Sequence, residues 1–149
     1  MAFWQIQRNS TQDQFFLPFK MKMDESFPCT EFFFDFINAK ILPDFIGALA
    51  NMHGYNNNSF AAVYFLSDMD GMDIANGLAV PEGFLRISDR LAEKTELMEE
   101  KIFYRIAIDY AEIMIEFYKN SSEFGESWRK GILDDLTKIK HRLNSMSDL

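Results

Sequence analysis

The chain has 149 residues, 48% of them hydrophobic, and a formal net charge of −8. That length predicts one domain over residues 1–149, and the charge works against direct binding of nucleic acid or an anionic membrane. Cys29 is the only cysteine, which excludes an internal disulfide and fits a reducing compartment.

Sixteen phenylalanines and nine methionines supply a large apolar payload for a core. The opening MAFWQIQRNSTQDQ lacks a basic run followed by an apolar one, so no secretory leader is read there and a cytoplasmic location is expected.

Residues 3–7, FWQIQ, read as a short strand. Asn9–Asp13 reads as a turn. Phe15–Met23 reads as a second strand, with Phe19, Met21 and Met23 alternating against Lys20 and Lys22 and with Pro18 favouring a sheet edge. The two runs suit a hairpin. A helix is predicted from Thr30, with Pro28 near its start, Glu31 in its first turn, and Phe32, Phe33, Phe36 and Ile37 at helical spacing. Pro43 predicts a break near Leu42, followed by a second helix through Phe45, Ile46, Leu49 and Met52 that stops at Gly54. Tyr55–Ser59 reads as loop.

Phe60–Leu66, FAAVYFL, is the clearest strand, aromatic and bounded by turn residues. Ser67–Gly71 reads as a turn and Met72–Val80 as a weaker returning strand. Pro81 and Glu82 look like the first turn of a helix carrying Phe84, Leu85, Ile87 and Leu91, although Phe84–Ile87 also suits a short strand. Thr95 is placed to cap the helix that follows.

That helix, centred on Met98–Lys119, is predicted to be the pillar of the fold. At 100° per residue its polar positions fall on one narrow stripe, Lys101, Arg105, Asp109, Glu112, Glu116 and Lys119, and nearly everything else is apolar. A helix apolar over most of its circumference must be wrapped by other elements. A last amphipathic helix starts near Ser127, and the tail 144–149 is expected to fray. The order of elements predicts an α+β fold: a small antiparallel sheet packed by helices around a central, mostly buried helix at about residues 96–119.

The run Val63–Asp73, VYFLSDMDGMD, resembles the first motif of haloacid-dehalogenase-type phosphatases, a strand ending in Asp-x-Asp-Gly. The resemblance implies Asp68 as nucleophile on phosphorus and Asp70 as acid/base. Ser67 and Met72 depart from that pattern, and no later strand ends in the further Ser/Thr, Lys and paired Asp such a site needs. An Asp- and Gly-rich turn accounts for the same residues. A helix–loop–helix calcium loop starting at Asp68 fails at Met72 and Asp73, where an acid and a glycine are required.

On the pillar, Asp109, Glu112 and Glu116 share one face, but neither His53 nor His141 completes a Glu-x-x-His pair, so a solvated stripe with Arg105–Asp109 and Glu116–Lys119 pairs is expected. Cys29 is expected to be an idle thiol. No metal and no cofactor is predicted.

One distribution stands out. Residues 61–125 hold thirteen acids against six bases, so this stretch carries −7 of the net −8. Asp68, Asp70, Asp73, Glu93, Glu96, Glu99 and Glu100 are the candidate partner-binding residues on it.

In size, acidity, the hairpin-like stretch FAAVYFLSDMDGMDIANGLAV and the helix-rich second half, the chain resembles small cytoplasmic immunity proteins of bacterial toxin–immunity systems of the contact-dependent inhibition type. That resemblance implies a cognate protein partner, a basic, nuclease-like toxin domain occluded by an acidic face, rather than an enzyme. A chaperone or adaptor for a secreted effector is the alternative, and a phosphatase-like hydrolase using Asp68 and Asp70 the third. The expected state is monomer or homodimer, with no direct nucleic-acid or membrane contact.

Overall fold

The computed structural model describes residues 3–9, 17–57, 60–77 and 79–146. The chain runs β1 (Trp4–Arg8), β2 (Phe19–Met23), α1 (Pro28–Phe34), α2 (Leu42–Ala50), β3 (Tyr55–Asn57), β4 (Ala61–Tyr64), a 3-10 turn (Leu66–Asp68), α3 (Gly71–Ala75), β5 (Phe84–Asp89), β6 (Lys94–Glu99), α4 (Glu100–Phe117) and α5 (Glu126–Ser145). The fold is α+β. β1 and β2 form an antiparallel hairpin with Trp4 opposite Met23 and Arg8 opposite Phe19. The other strands form an antiparallel sheet in the order β3-β4-β5-β6.

The pillar is where its composition places it. On α4, Phe103, Tyr104, Ile106, Ala107, Tyr110, Ala111 and Met114 are all buried, and Arg105, Asp109, Glu112 and Glu116 are exposed. α1, α2 and α5 close around this helix and the sheet. The phenylalanines concentrate at the centre. Phe33 lies 5.2 Å from Phe45 and 6.1 Å from Phe103, and Phe34 lies 5.2 Å from Tyr110. Such aromatic pairs add about 0.5–1.5 kcal/mol each beyond area burial.

The bend between α1 and α2 leaves carbonyls without helical partners, and two distant side chains supply them. The Tyr110 hydroxyl donates to the Ile37 carbonyl at 2.5 Å, and the Trp128 indole N–H donates to that of Ala39 at 2.8 Å. Burial is the main cause pushing the Tyr110 hydroxyl well above the ordinary tyrosine value.

The pillar's polar stripe is used differently from its expected internal pairing. Glu116 pairs with Lys119 at 2.7 Å, as expected. Asp109 instead accepts the Trp4 indole N–H at 2.9 Å, which ties the β1–β2 hairpin to α4. Glu112 pairs with Lys140 of α5 at 2.9 Å.

Several predicted elements are corrected. α2 ends at Ala50, before Gly54, and Met52 takes the left-handed turn at φ 58°. Gly54 serves a different need: a Cβ there would lie 2.6 Å from the Val63 carbonyl oxygen and 2.7 Å from the Asp68 carboxylate. Tyr55–Asn57 is not loop but the edge strand β3, paired with β4 through Tyr55 opposite Val63. Met72–Val80 does not return as a strand. Its first residues form α3, because Asp70 and Asp73 build a capping box that starts a helix. Of the two readings open for Phe84–Ile87 the strand holds, as part of β5, in place of a helix from Pro81 through Leu91, and Pro81 opens a turn that the Phe84 N–H closes at 3.1 Å.

Thr95 lies within β6 and caps nothing; α4 starts at Glu100, not at residue 96. α5 stays helical to Ser145, past the point where fraying was expected. The predicted turn at residues 10–13, the first residues of the second strand (15 and 16), positions 58 and 59 of the expected loop, residue 78 of the expected returning strand, and 147–149 of the tail lie outside the described residues.

Candidate functional site: an acidic and apolar strip over the outer sheet face

Alternation along the strands fixes two faces. Ala61, Val63, Leu85, Ile87 and Met98 turn toward the helices and are buried. Tyr64, Arg86, Ser88, Thr95, Leu97 and Glu99 lie on the opposite, outer face. The segment after β4 passes along this outer face and encloses a cleft of about 360 Å³ against it. Asp68, Asp73 and Glu93, three of the predicted site residues, line that cleft together with Tyr64, Arg86 and Arg90.

Each wall is held by its own chemistry. The Asp68 carboxylate accepts the Phe65 N–H at 2.6 Å, folding the 3-10 turn back on the end of β4. Asp70 accepts the Asp73 N–H at 2.9 Å and Asp73 accepts the Asp70 N–H at 3.1 Å, a reciprocal cap that fixes the first turn of α3. The Asp73 backbone N–H holds the Asp70 carboxyl below the usual carboxylate range.

The two arginines act as struts. Arg86 donates to the Thr95 hydroxyl at 2.8 Å and to the Ala79 carbonyl at 3.0 Å, linking β6 and the crossing segment to β5. Arg90 donates to the Tyr64 hydroxyl and, at 3.3 Å, to the Asn56 side-chain oxygen. Glu93 sits in the β5–β6 turn with a left-handed backbone at φ 54° and is exposed.

Asp70 stands beside the cleft as the cap of α3, and Glu96, Glu99 and Glu100 are not brought to it. Glu96 lies on the inner face. Its carboxylate accepts the N–H groups of Cys29 at 2.7 Å and Thr30 at 2.9 Å, and the Thr30 hydroxyl at 2.6 Å. The residue ahead of α1 is Phe27, which offers no side-chain cap, so Glu96 provides one from another strand. Burial and the neighbouring Glu96 push the Cys29 thiol up to about 12, so it is protonated and inert at neutral pH.

Glu100 is only 7% exposed. It accepts the Tyr104 hydroxyl at 2.6 Å and two guanidinium N–H groups of Arg142 at 2.7 and 3.0 Å, joining the start of α4 to the end of α5. Glu99 is exposed on the outer face, at the far end of β6 from the cleft, beside Phe84 and Lys101. The predicted acidic face therefore divides: Asp68, Asp70, Asp73 and Glu93 stand at the surface around the cleft, Glu99 stands apart, and Glu96 and Glu100 hold the fold.

Charge reading alone passes over the apolar members of this region. Leu66 is 50% exposed, Met72 70% and Ile74 54%, and they share a stretch of nine residues with Asp68, Asp70 and Asp73. The signal was present in the sequence as apolar residues interleaved with acids in a stretch that forms no core strand. Among the described residues, no group of three or more His, Cys, Asp or Glu side chains is arranged to hold a metal ion, and no helix is long and apolar enough to cross a membrane. Comparison with protein-family models, with curated proteins and with solved structures gives no match to this chain.

Proposed function

We propose that this protein binds a basic protein partner through the segment 66–74 and, by covering the partner's functional surface, inhibits it. The finer form of the proposal is an immunity protein that neutralises a cognate nuclease-like toxin domain. One observation carries it: three large apolar side chains, Leu66, Met72 and Ile74, stand exposed on a nine-residue segment that also carries the three carboxylates Asp68, Asp70 and Asp73. Interfaces with basic partners need both parts. Apolar anchors provide most of the affinity, and complementary charge steers encounter and selects the partner. A strip of this kind matches a nucleic-acid-binding surface, where carboxylates replace phosphates and the anchors exclude water.

The test is capture of partners by the tagged protein from its native lysate, with light-scattering mass on the eluate. The proposal expects one basic protein, at one molecule per chain, whose nucleic-acid-cleaving activity falls when the complex forms. Recovery of several unfolded clients would favour the chaperone or adaptor reading. A captured partner with a strongly acidic surface would overturn the proposal.

A further inference from the structure

Three polar or charged residues are buried among the described residues: Thr30, Ser88 and Glu100. Thr30 is served by Glu96, and Glu100 by Tyr104 and Arg142. Ser88 is 8% exposed, and its hydroxyl has no hydrogen-bond partner among the described residues. It stands on the outer face of β5, between Ala62 of β4 and Thr95 of β6, and lines the cleft of about 360 Å³. Buried polar groups are paired with protein, water or ligand, so this one bears on what fills the cleft.

Two neighbours offer the same chemistry. Arg86 donates to the Thr95 hydroxyl at 2.8 Å, and Arg90 donates to the Tyr64 hydroxyl. A guanidinium only donates, so each hydroxyl is committed as an acceptor there and its own hydrogen is left to turn elsewhere. Neither hydrogen is taken up by another group among the described residues. Ser88 and Thr95 are directly opposite across the strands, where Cβ atoms stand ~4.5–5.5 Å apart, so one carboxylate can meet both hydroxyls. The sheet side of the cleft thus carries three unused O–H donors, two of them polarised by a cation.

The segment that crosses the sheet carries acceptors. Asp68 and Asp73 each use Oδ2 on a backbone N–H, that of Phe65 and that of Asp70, and no donor among the described residues reaches their Oδ1 atoms. The whole lining holds three basic and four acidic side chains, so neither a bare anion nor a bare cation matches it. Its volume lies at the low end of the ~300–1,000 Å³ usual for ligand sites, which suits a ligand of few atoms.

We propose that the cleft binds a small zwitterion of the α-amino-acid class, with its carboxylate on the Ser88, Thr95 and Tyr64 hydroxyls and its ammonium on Asp68 and Asp73. The donors stand on the sheet and the acceptors on the crossing segment, so one ligand bridges the two. The proposal does not rest on the partner-binding reading: of the segment 66–74, Asp68, Met69 and Asp73 line the cleft, whereas the exposed Leu66, Met72 and Ile74 do not.

The test is a thermal-shift screen of the standard L-amino acids against the intact chain with no other protein present, followed by calorimetric titration of the strongest. Each is used at ~10 mM, enough to raise Tm measurably through even a millimolar site. At least one is expected to raise Tm and to bind at one molecule per chain. Blocking its carboxylate as the amide, or its ammonium by N-acetylation, is expected to weaken binding roughly tenfold or more. Ser88→Ala removes a hydroxyl that serves no contact of the fold, so it should unfold at the wild-type Tm or above it and bind roughly tenfold more weakly or worse. The blocked ligands decide the matter if that variant fails to fold. No shift with any of the amino acids would overturn the proposal and leave the Ser88 hydroxyl to water. Undiminished binding of both blocked forms, or of the amino acid to folded Ser88→Ala, would overturn it too. Each of these results leaves the docking surface of Leu66, Met72 and Ile74 standing.

Discussion

Glu96→Ala is the perturbation whose outcome separates a structural carboxylate from a contact residue. The change removes three hydrogen bonds, to the N–H groups of Cys29 and Thr30 and the Thr30 hydroxyl, at 2.6–2.9 Å. Both acceptor-deprived residues are buried. Loss of a helix cap costs about 1 kcal/mol, and leaving buried donors unsatisfied costs a further ~1–3 kcal/mol. A total near 3 kcal/mol corresponds to a fall in Tm of about 6–12 °C for a chain of this size.

Glu96→Gln keeps one acceptor oxygen and loses the charge, so it should fall between the two. The assay is urea unfolding at fixed protein concentration, with midpoint and slope compared to wild type. A double-mutant cycle with Thr30→Val should return a coupling of about 1 kcal/mol or more. A Glu96→Ala midpoint equal to wild type would refute the assignment of Glu96 as the cap of α1.

Three further outcomes follow from other parts of the fold. Gly54→Ala forces a Cβ to 2.6 Å from a backbone oxygen that cannot swing aside, so a loss of about 1–3 kcal/mol is expected in urea unfolding. Asp24, through the N–H groups of Phe3 and Ser26, and Asp70, through that of Asp73, have carboxyls held below the ordinary value of 3.8. Their folded values lie below their unfolded ones, so the stability they contribute is present above the unfolded value and is lost as pH falls from there through the lower folded value. The urea midpoint should therefore drop as pH is lowered below about 5, and Asp24→Asn should flatten part of that drop. Cys29, with its thiol pushed up to about 12, should resist a thiol reagent at pH 8 in the native protein and react once urea unfolds it; rapid native labelling would contradict its burial.

The pillar was legible because its signal is local and dense: a run that is apolar around most of its circumference can only be wrapped. The β1–β2 hairpin was legible from the alternation at Phe19, Met21 and Met23. The strands β3 and β6 were not. Tyr55–Asn57 and Lys94–Glu99 are rich in Asn, Lys and Glu, which disfavour strands, and they are held by pairing to β4 and β5 rather than by propensity. α3 was misread as strand although Asp70 and Asp73 carry a capping box in plain sequence, because an Asp- and Gly-rich stretch reads equally as a turn.

The acidic cluster was visible as composition, but its division was not. Glu96 finds its partners 66 and 67 residues away and Glu100 finds Arg142 at a separation of 42, distances over which no local pattern reports. The exposure of Met72 and Ile74 was hidden for a related reason, since an apolar residue in sequence is assigned to the core by default.

The apolar anchors and carboxylates of the segment 66–74 are proposed as the docking surface. The most direct measurement is calorimetric titration of the captured partner against the wild-type chain and the double variant Met72→Arg/Ile74→Arg, with Glu99→Lys as a control away from the cleft. Placing two cations on exposed positions leaves the core intact, so both variants should fold as wild type. The double variant is expected to lose at least a hundredfold in affinity, about 2.7 kcal/mol, and Glu99→Lys to change it by less than about threefold. Equal affinity of the double variant and the wild type would place the docking surface elsewhere.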